Sequence, residues 1–400
     1  MDPNCTSSIG GTATQFSLPF SHQHETDWHF RGFTVKLRCH ETKTNQLVEL
    51  NVLVVVTGSS GLIGSAAVRH WDAPGNHVIG IDNDMRSTFF GPTGSTEWNR
   101  KQLEAETKNF RTESLDIRNR DVIFDLFKNE QPDLIIHCAA QPSHDRAAAI
   151  PFLDFEVNAN GTLNLLEATR QFAPDAVFCH MSTNKVYGDA PNELKLQELE
   201  TRWDYANQQE YHGITEACRI DQTMHSLFGA SKAAADILAQ EYGRYFGLKT
   251  GIFRGGCLTG VSHSGVELHG FLSYLVHVAV HGKPYTVFGY KGKQVRDQIE
   301  CSDVVKAFEA FAQNPRAGEV YNIGGGRENA ASVLECITMI REIGGYELEY
   351  NLSSEARKGD HICYISDLSK LRRHYPVWDI TVSLREIVTR MIQAEKDKLD

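Results

Sequence analysis

The chain contains no run of 18 apolar residues, no Cys-x-x-Cys pair, no internal repeat and no surplus of positive charge. Each absence removes a class of protein. Without a long apolar run there is no helical segment to span a bilayer. The first residues also lack the basic, apolar and small-residue succession of a secretory signal, so a cytoplasmic protein is expected. The nine cysteines stand singly, at 5, 39, 138, 179, 218, 257, 301, 336 and 363, an odd number with no zinc-type spacing. That usage fits a reducing compartment and argues against a disulfide framework. A formal net charge of −11 disfavours an extended phosphate-binding surface, and nucleic acid is not an expected partner. What remains is a 400-residue chain, 41% hydrophobic and 23% charged, long enough to bury a large core.

Residues 1–50 differ from the rest. "TSSIGGTATQ" has a flexible composition, and "SHQHETDWHFRGF" follows neither a helical nor a strand period. A poorly ordered N-terminal extension is expected there, added to a domain that is complete in itself from Asn51. His22, His24, His29, Cys39 and His40 fall in this segment, but their spacing matches no standard zinc pattern, and no metal is expected.

From Asn51 short β-branched runs alternate with helix-patterned stretches. "NVLVVVTG", "HVIGID", "DLIIHCAA", "AVFCHMST" and "KTGIFRGG" have strand character, with segments such as "NANGTLNLLEATRQF" between them at helical spacing. Strand, helix and strand in succession predict an α/β fold with a doubly wound parallel sheet of Rossmann type. We expect this domain over residues 51–256, joined by a returning strand near 319–324. Residues 257–400, where the alternation weakens, are expected to form mainly a smaller C-terminal substrate-binding domain.

Directly after the first strand, "VVVTGSSGLIGS" places Gly58, Gly61 and Gly64 around Leu62 and Ile63. Glycines here permit a tight turn and close approach of backbone N–H groups to a pyrophosphate at a helix N-terminus. The next strand ends in Asp82 and Asn83, Asp82 lying 18 residues beyond Gly64. A carboxylate there can hold both hydroxyls of an adenosine ribose and repel a 2′-phosphate, which favours NAD over NADP. Arg86 tempers that preference, because it could meet a 2′-phosphate if turned inward.

These motifs resemble, over roughly residues 51–390, the extended short-chain dehydrogenase/reductase superfamily and within it the nucleotide-sugar epimerases and dehydratases. The resemblance implies an NAD-dependent enzyme acting on a nucleotide diphosphate sugar. It assigns Asp116 and Ile117 of "LDI" to the adenine. Ala139, Ala140 and Gln141 of "HCAAQ" go to the fourth-strand cofactor motif, and Asn158 of "VNANGTLNLLEA" to the central helix. In "MSTNKVYGD", Thr183 matches the strand-end hydroxyl that hydrogen-bonds the reacting sugar oxygen. Sugar dehydratases of the family carry two acidic residues next, where this chain has Asn184 and Lys185. An amide cannot take a proton at neutral pH and an ordinary lysine is a poor acid catalyst, so dehydration lacks its machinery. Epimerisation does not need it. "STNKVYGD", "DFEVNANGTLNLLEATRQF" and "GKQVRD" most resemble epimerases that invert C2 of CDP-linked sugars. A UDP-sugar 4-epimerase and a catalytically silent nucleotide-sugar binder are the alternatives.

The silent alternative arises from "FGASK", which falls on the family's Tyr-x-x-x-Lys. Lys232 keeps the lysine position, but Phe228 stands where the tyrosine base is expected. Thr183 acting through water, Lys185, His225, Cys257 or Lys232 itself could supply the proton transfer, although Lys185 is expected to face away from the site. By the same resemblance Arg296 and Arg357 hold the diphosphate, Thr183 and Asn184 meet the substrate, and Asn322 with Gly324 shapes the pocket wall. The helices around 158–172 and 229–246 resemble those that pair in a homodimer. The second carries Ala234, Ile237, Leu238, Tyr242 and Tyr245 as an apolar stripe.

Overall fold

The computed structural model of the chain describes residues 28–30, 33–35, 52–262, 270–355 and 359–399. Two units separate by contact, residues 1–46 and 47–400. In the first, Trp28–Phe30 pairs antiparallel with Phe33–Val35. His22, His24, Cys39 and His40 lie outside the described residues.

The second unit is built on seven parallel strands, β1 (Val52–Thr57), β2 (Asn76–Ile81), β3 (Phe110–Glu113), β4 (Leu134–His137), β5 (Val177–Thr183), β6 (Lys249–Gly255) and β7 (Glu319–Ile323). Their order across the sheet is β7-β6-β5-β4-β1-β2-β3. A central parallel strand is covered on both faces and so tends to be continuously apolar. β1 obeys this rule, with Val54, Val55 and Val56 all buried. The chain runs outward from β1 through β2 to β3, then returns to the other side of β1 as β4. That reversal opens a crevice at the carboxyl ends of β1 and β4, the place where ligands bind in such sheets.

Three helices position the crevice. α1 (Leu62–Trp71) starts at the Gly61 N-cap and buries Ile63, Ala67, Val68 and Trp71. α2 (Gly161–Phe172) is entered through a single π-turn at Glu156–Asn160. α3 (Leu227–Phe246) begins where the Ser226 hydroxyl accepts from Gly229 N at 3.1 Å and ends at Gly247 with φ +75°. α3 lies so close to the start of β7 that a Cβ on Gly243 would stand 2.2 Å from Gly318 N. The stripe expected on α3 does not face one way, because Tyr242 is buried while Ile237 and Tyr245 are 44% and 79% exposed.

A second, smaller sheet follows. Val295–Glu300 is flanked by Cys257–Thr259 and Ala330–Ser332 and also pairs with Cys363–Tyr364. The helices Phe271–Val280, Val333–Gly344 and Leu384–Lys396 bury a separate core that includes Leu275, Ile340 and Val388. No helix among the described residues is long and apolar enough to cross a membrane.

α3 is fastened to the main sheet by a buried ion pair. Arg254 of β6 donates to Asp236 of α3 through Nε at 3.0 Å and Nη2 at 2.8 Å. Ser182 of β5 and Gln240 of α3 each add a hydrogen bond to that carboxylate at 2.6 Å. Removing one partner of such a pair strands the other charge in a low-dielectric interior, at a cost of about 3–5 kcal/mol. Asp236→Ala should therefore lower stability by about that amount in urea denaturation, and a loss below about 1 kcal/mol would show that the pair does not anchor the helix.

Candidate active site

The glycine loop is required by packing. Gly58 has φ +66°, and a Cβ there would lie 2.8 Å from Ala139 N; a Cβ on Gly64 would lie 2.0 Å from Gly58 O. The loop after β1, the segment after β4 and the start of α1 thus meet with no room for side chains at these two positions. At the same junction Thr57 Oγ1 accepts from Ala139 N at 3.2 Å and donates to His137 Nδ1 at 2.7 Å. The Thr162 hydroxyl donates to Asn158 O at 2.6 Å, so it accepts from His137 Nε2 at 2.8 Å, and burial keeps this imidazole neutral.

Beyond the loop a cavity of about 470 Å³ runs from the outer end of β2 across the sheet edge to the second sheet. Gly58, Gly61, Leu62, Ile63 and Gly64 line one end. The N–H groups of the first helical turn have no partner within the helix and suit an anion. Asp82 and Asn83 also line this end. The Asp82 carboxylate accepts from Ser60 N and Asp84 N, both at 2.9 Å, one on each oxygen, and burial raises its pKa. Each oxygen keeps capacity for a ribose hydroxyl. Arg86 lines the cavity as well, with Nε on Gly94 O at 3.2 Å and its guanidinium over the Phe90 ring. Asp116 and Ile117 complete this end. Burial acts to raise Asp116, but the Arg118 guanidinium, 2.6 Å away, outweighs it and lowers the pKa. A glycine cradle, a helix N-terminus and a strand-end carboxylate together fit a dinucleotide.

Ala139 and Ala140 line the middle of the cavity, but Gln141 and Asn158 do not. Both are buried and clasp one another instead: Gln141 N donates to Asn158 Oδ1 at 2.9 Å, and Asn158 Nδ2 donates to Gln141 O at 3.1 Å. They hold the loop after β4 from behind.

Thr183, Asn184, Phe228 and Lys232 all face the middle of the cavity. Lys232 donates to Met181 O at 2.8 Å, and burial lowers its pKa to about 8. Phe228 is 6% exposed and its ring meets that of His144. The expectation that Lys185 would face away is corrected. β5 ends at Thr183, whose hydroxyl accepts from Lys185 N at 3.3 Å and caps a 3₁₀ turn over Asn184–Tyr187. Two residues apart, Thr183 and Lys185 would share a face even in an extended strand, and with the turn in its place Lys185 enters the cavity.

Lys185 Nζ then donates to Asp360 Oδ1 at 3.2 Å, and Arg296 Nη2 donates to the same oxygen at 2.5 Å. Burial opposes the charge on Asp360, but Arg296 and Lys185 overcome it and hold the carboxyl far below its ordinary pKa. Two cations on one carboxylate leave a net positive charge where this end of the cavity opens to the second sheet. Arg357 lies outside the described residues. Of the other candidates, His225 does not line the cavity and bonds the Val186 and Thr223 carbonyls. Cys257 lines it, with its thiol pushed up to about 11 by burial. Asn322 and Gly324 stand behind the wall; Asn322 accepts from Tyr187 Oη at 2.7 Å, and a Cβ on Gly324 would meet Asp297 Oδ2 at 2.2 Å. The group His277, His281 and Glu395, which could hold a metal ion, is outside this cavity and joined by a His277–Glu395 hydrogen bond of 2.8 Å.

Sequence reasoning missed His144 and the double role of Asp360. No motif marks His144. Asp360 is 64 residues from Arg296 and 175 from Lys185, so only the fold joins them.

Residues 54–324 match the model of the NAD dependent epimerase/dehydratase family. The chain is 31% identical over 345 residues to CDP-paratose 2-epimerase of Salmonella typhi, covering 84% of this chain and 97% of that protein. It is 30% identical over 337 residues to dTDP-glucose 4,6-dehydratase 1 of Escherichia coli, covering 81% and 84%. Among solved structures, UDP-glucuronic acid 4-epimerase of Bacillus cereus, in complex with UDP-glucuronic acid and NAD, superposes with a TM-score of 0.71 at 25% identity, over 87% of this chain and 100% of that one. A tyrosine-to-phenylalanine variant of that enzyme is similar at 26% identity, with NAD and a fluorinated UDP-sugar bound.

Burial first, then the charge of Lys232, holds His137 and His180 well below the ordinary imidazole pKa. Both are neutral in the folded protein, whereas unfolded imidazoles take a proton near pH 6.5. Their contribution to stability is therefore full above pH 6.5 and falls as pH drops below it. Unfolding free energy should decrease by about 1.4 kcal/mol per imidazole between pH 7.5 and 5.5, measured by urea denaturation. Replacing His180 by Gln should flatten that slope, and an unchanged slope would contradict the assignment.

Proposed function

The chain belongs to the NAD dependent epimerase/dehydratase family, and from that membership we propose that it is an NAD-dependent epimerase inverting C2 of a CDP-linked sugar, like CDP-paratose 2-epimerase. The observation that carries this reading is the pair after Thr183. Asn184 cannot transfer a proton at neutral pH, and Lys185 is spent on Asp360, so the acid and base that dehydration requires are missing. Thr183 and Lys232 remain, and inversion by oxidation and re-reduction needs no acid–base pair for loss of water.

NAD supplies the hydride acceptor and donor in this chemistry. Gly58, Gly61 and the first turn of α1 would hold its pyrophosphate, Asp82 the adenosine ribose, Asp116 and Ile117 the adenine, and Lys232 the nicotinamide ribose. The Thr183 hydroxyl would orient the sugar oxygen. Arg296 and Lys185, placed together by Asp360, would meet the diphosphate, with Arg357 as a further partner. Apolar walls that include Met181, Phe228 and Leu258 would keep water from the oxidised sugar.

A UDP-sugar 4-epimerase is the second reading, favoured by the Bacillus cereus enzyme and its bound UDP-sugar. A silent binder is the third, motivated by Phe228; the tyrosine-to-phenylalanine variant of that enzyme was crystallised with NAD and a sugar-nucleotide analogue. We further propose a cytoplasmic homodimer joined through α2 and α3, where Leu163, Ile237, Tyr245 and Phe246 are exposed.

Incubation with CDP-paratose and UDP-glucose, followed by proton NMR, tests the choice. Inversion at C2 of the CDP-sugar without net NADH is expected. Inversion at C4 of the UDP-sugar alone would replace the first reading by the second. Turnover by Phe228→Tyr but not by the parent would leave only the silent binder.

A further inference from the structure

Phe228 leaves the cavity without a hydroxyl where the family resemblance expects one, and a different proton-carrying side chain stands against it. The imidazole of His144 lines the same cavity and meets the Phe228 ring edge-on, with centroids 5.2 Å apart and planes at 67°. Among the described lining residues it is the single histidine. His144 Nδ1 also lies 3.7 Å from the point where a Cβ on Gly359 would stand, and Gly359 O accepts from Lys185 Nζ at 3.2 Å. The ring is thus close both to Phe228 and to the backbone that receives Lys185.

Its backbone is firmly held. His144 opens a short helix, His144–Ala149, whose N-cap Ser143 accepts from Arg146 N at 3.2 Å. Gln141 grips Ser143 on both sides, with Oε1 accepting from Ser143 N at 2.7 Å and Nε2 donating to Ser143 O at 2.9 Å. Gln141 is itself tied to Asn158 and to Asp154. The two residues absent from the cavity wall thus fix the turn that presents the imidazole to it.

The other proton carriers near Phe228 are committed or unsuited. Lys232 donates to Met181 O, and Lys185 is paired with Asp360. The thiol of Cys138 is pushed up to about 12 by burial. The Thr183 hydroxyl is too weak a base to act alone. An imidazole changes protonation near neutral pH, which is what general acid–base catalysis at that pH requires.

We propose that His144 is a catalytic residue of this active site, the group that exchanges a proton with the reacting sugar hydroxyl in place of the tyrosine that Phe228 replaces. The proposal rests on the epimerase reading. In the oxidising step the O–H bond breaks and its proton passes to an imidazole nitrogen, while the C–H electron pair leaves as hydride to oxidised NAD. In the reducing step hydride returns to the opposite face of the carbon and the imidazolium gives its proton back to the oxygen, so electrons and protons balance over the cycle.

The test compares parent, His144→Gln, His144→Asn and the double variant His144→Gln with Phe228→Tyr. C2 inversion is followed by NMR, and NAD affinity by titration calorimetry. Removal of a general base costs roughly 10²- to 10⁴-fold in rate. A loss of that size is expected in both single variants, with NAD affinity within about threefold of the parent. The double variant should recover at least about tenfold, because a tyrosine hydroxyl can then do what the imidazole did. Turnover that survives both single variants, or a loss that the added tyrosine does not reverse, overturns the proposal while leaving the epimerase reading intact. A parent that turns over neither CDP- nor UDP-sugar overturns both.

Discussion

The carboxylate of Asp236 holds the site together. Phe228, Lys232, Asp236 and Gln240 follow one another at intervals of four on α3, so they share a face of the helix and are all buried. Arg254 from β6 and Ser182 from β5 both grip Asp236, and Gln240 grips it from the next turn. Fixing that one side chain fixes the row. Lys232 is thereby set against the Met181 carbonyl and Phe228 against the cavity. The cost of burying the Lys232 ammonium appears as a pKa lowered to about 8, moderated by the negative charge of Asp236.

The same economy operates at the other end of the cavity. Asp360 brings Lys185 and Arg296 to one oxygen, so two like charges share a site that would otherwise drive them apart. The proposed sugar site lies between these two anchored groups, and the roles proposed there follow from what each group can still do. A lysine paired with a carboxylate cannot serve as the acid of a dehydratase. A phenylalanine cannot carry a proton. An imidazole beside it can.

Much of the sheet could be read from the chain because its cues are local. The alternation of β-branched runs with helical stretches, and glycines followed by a strand-end aspartate, depend on neighbours a few residues apart. Gly58 and Gly64 are intolerant of a side chain in the way a close turn demands. The expectation that Lys185 faces away treats it as Thr183's neighbour, yet the two stand two positions apart, a spacing that shares a strand face. The turn capped by Thr183 carries Lys185 into the cavity. The α3 stripe looked uniform in sequence, but the helix meets the sheet on one flank only, and Ile237 and Tyr245 fall outside it. Contacts between distant segments, such as Asp236 with Arg254 or Asp360 with Lys185, leave no spacing to recognise. His144 escaped notice for that reason, since its meaning comes from a ring 84 positions further along the chain.

On this reading a dinucleotide lies across the carboxyl edge of the sheet and serves as a resident catalyst. Its presence is tested most directly by denaturing the purified protein and assaying the supernatant for nicotinamide nucleotides. About one NAD(H) per chain is expected, or stoichiometric uptake of NAD in preference to NADP if the cofactor is lost in purification. Folded protein that neither retains nor binds either nucleotide would contradict it.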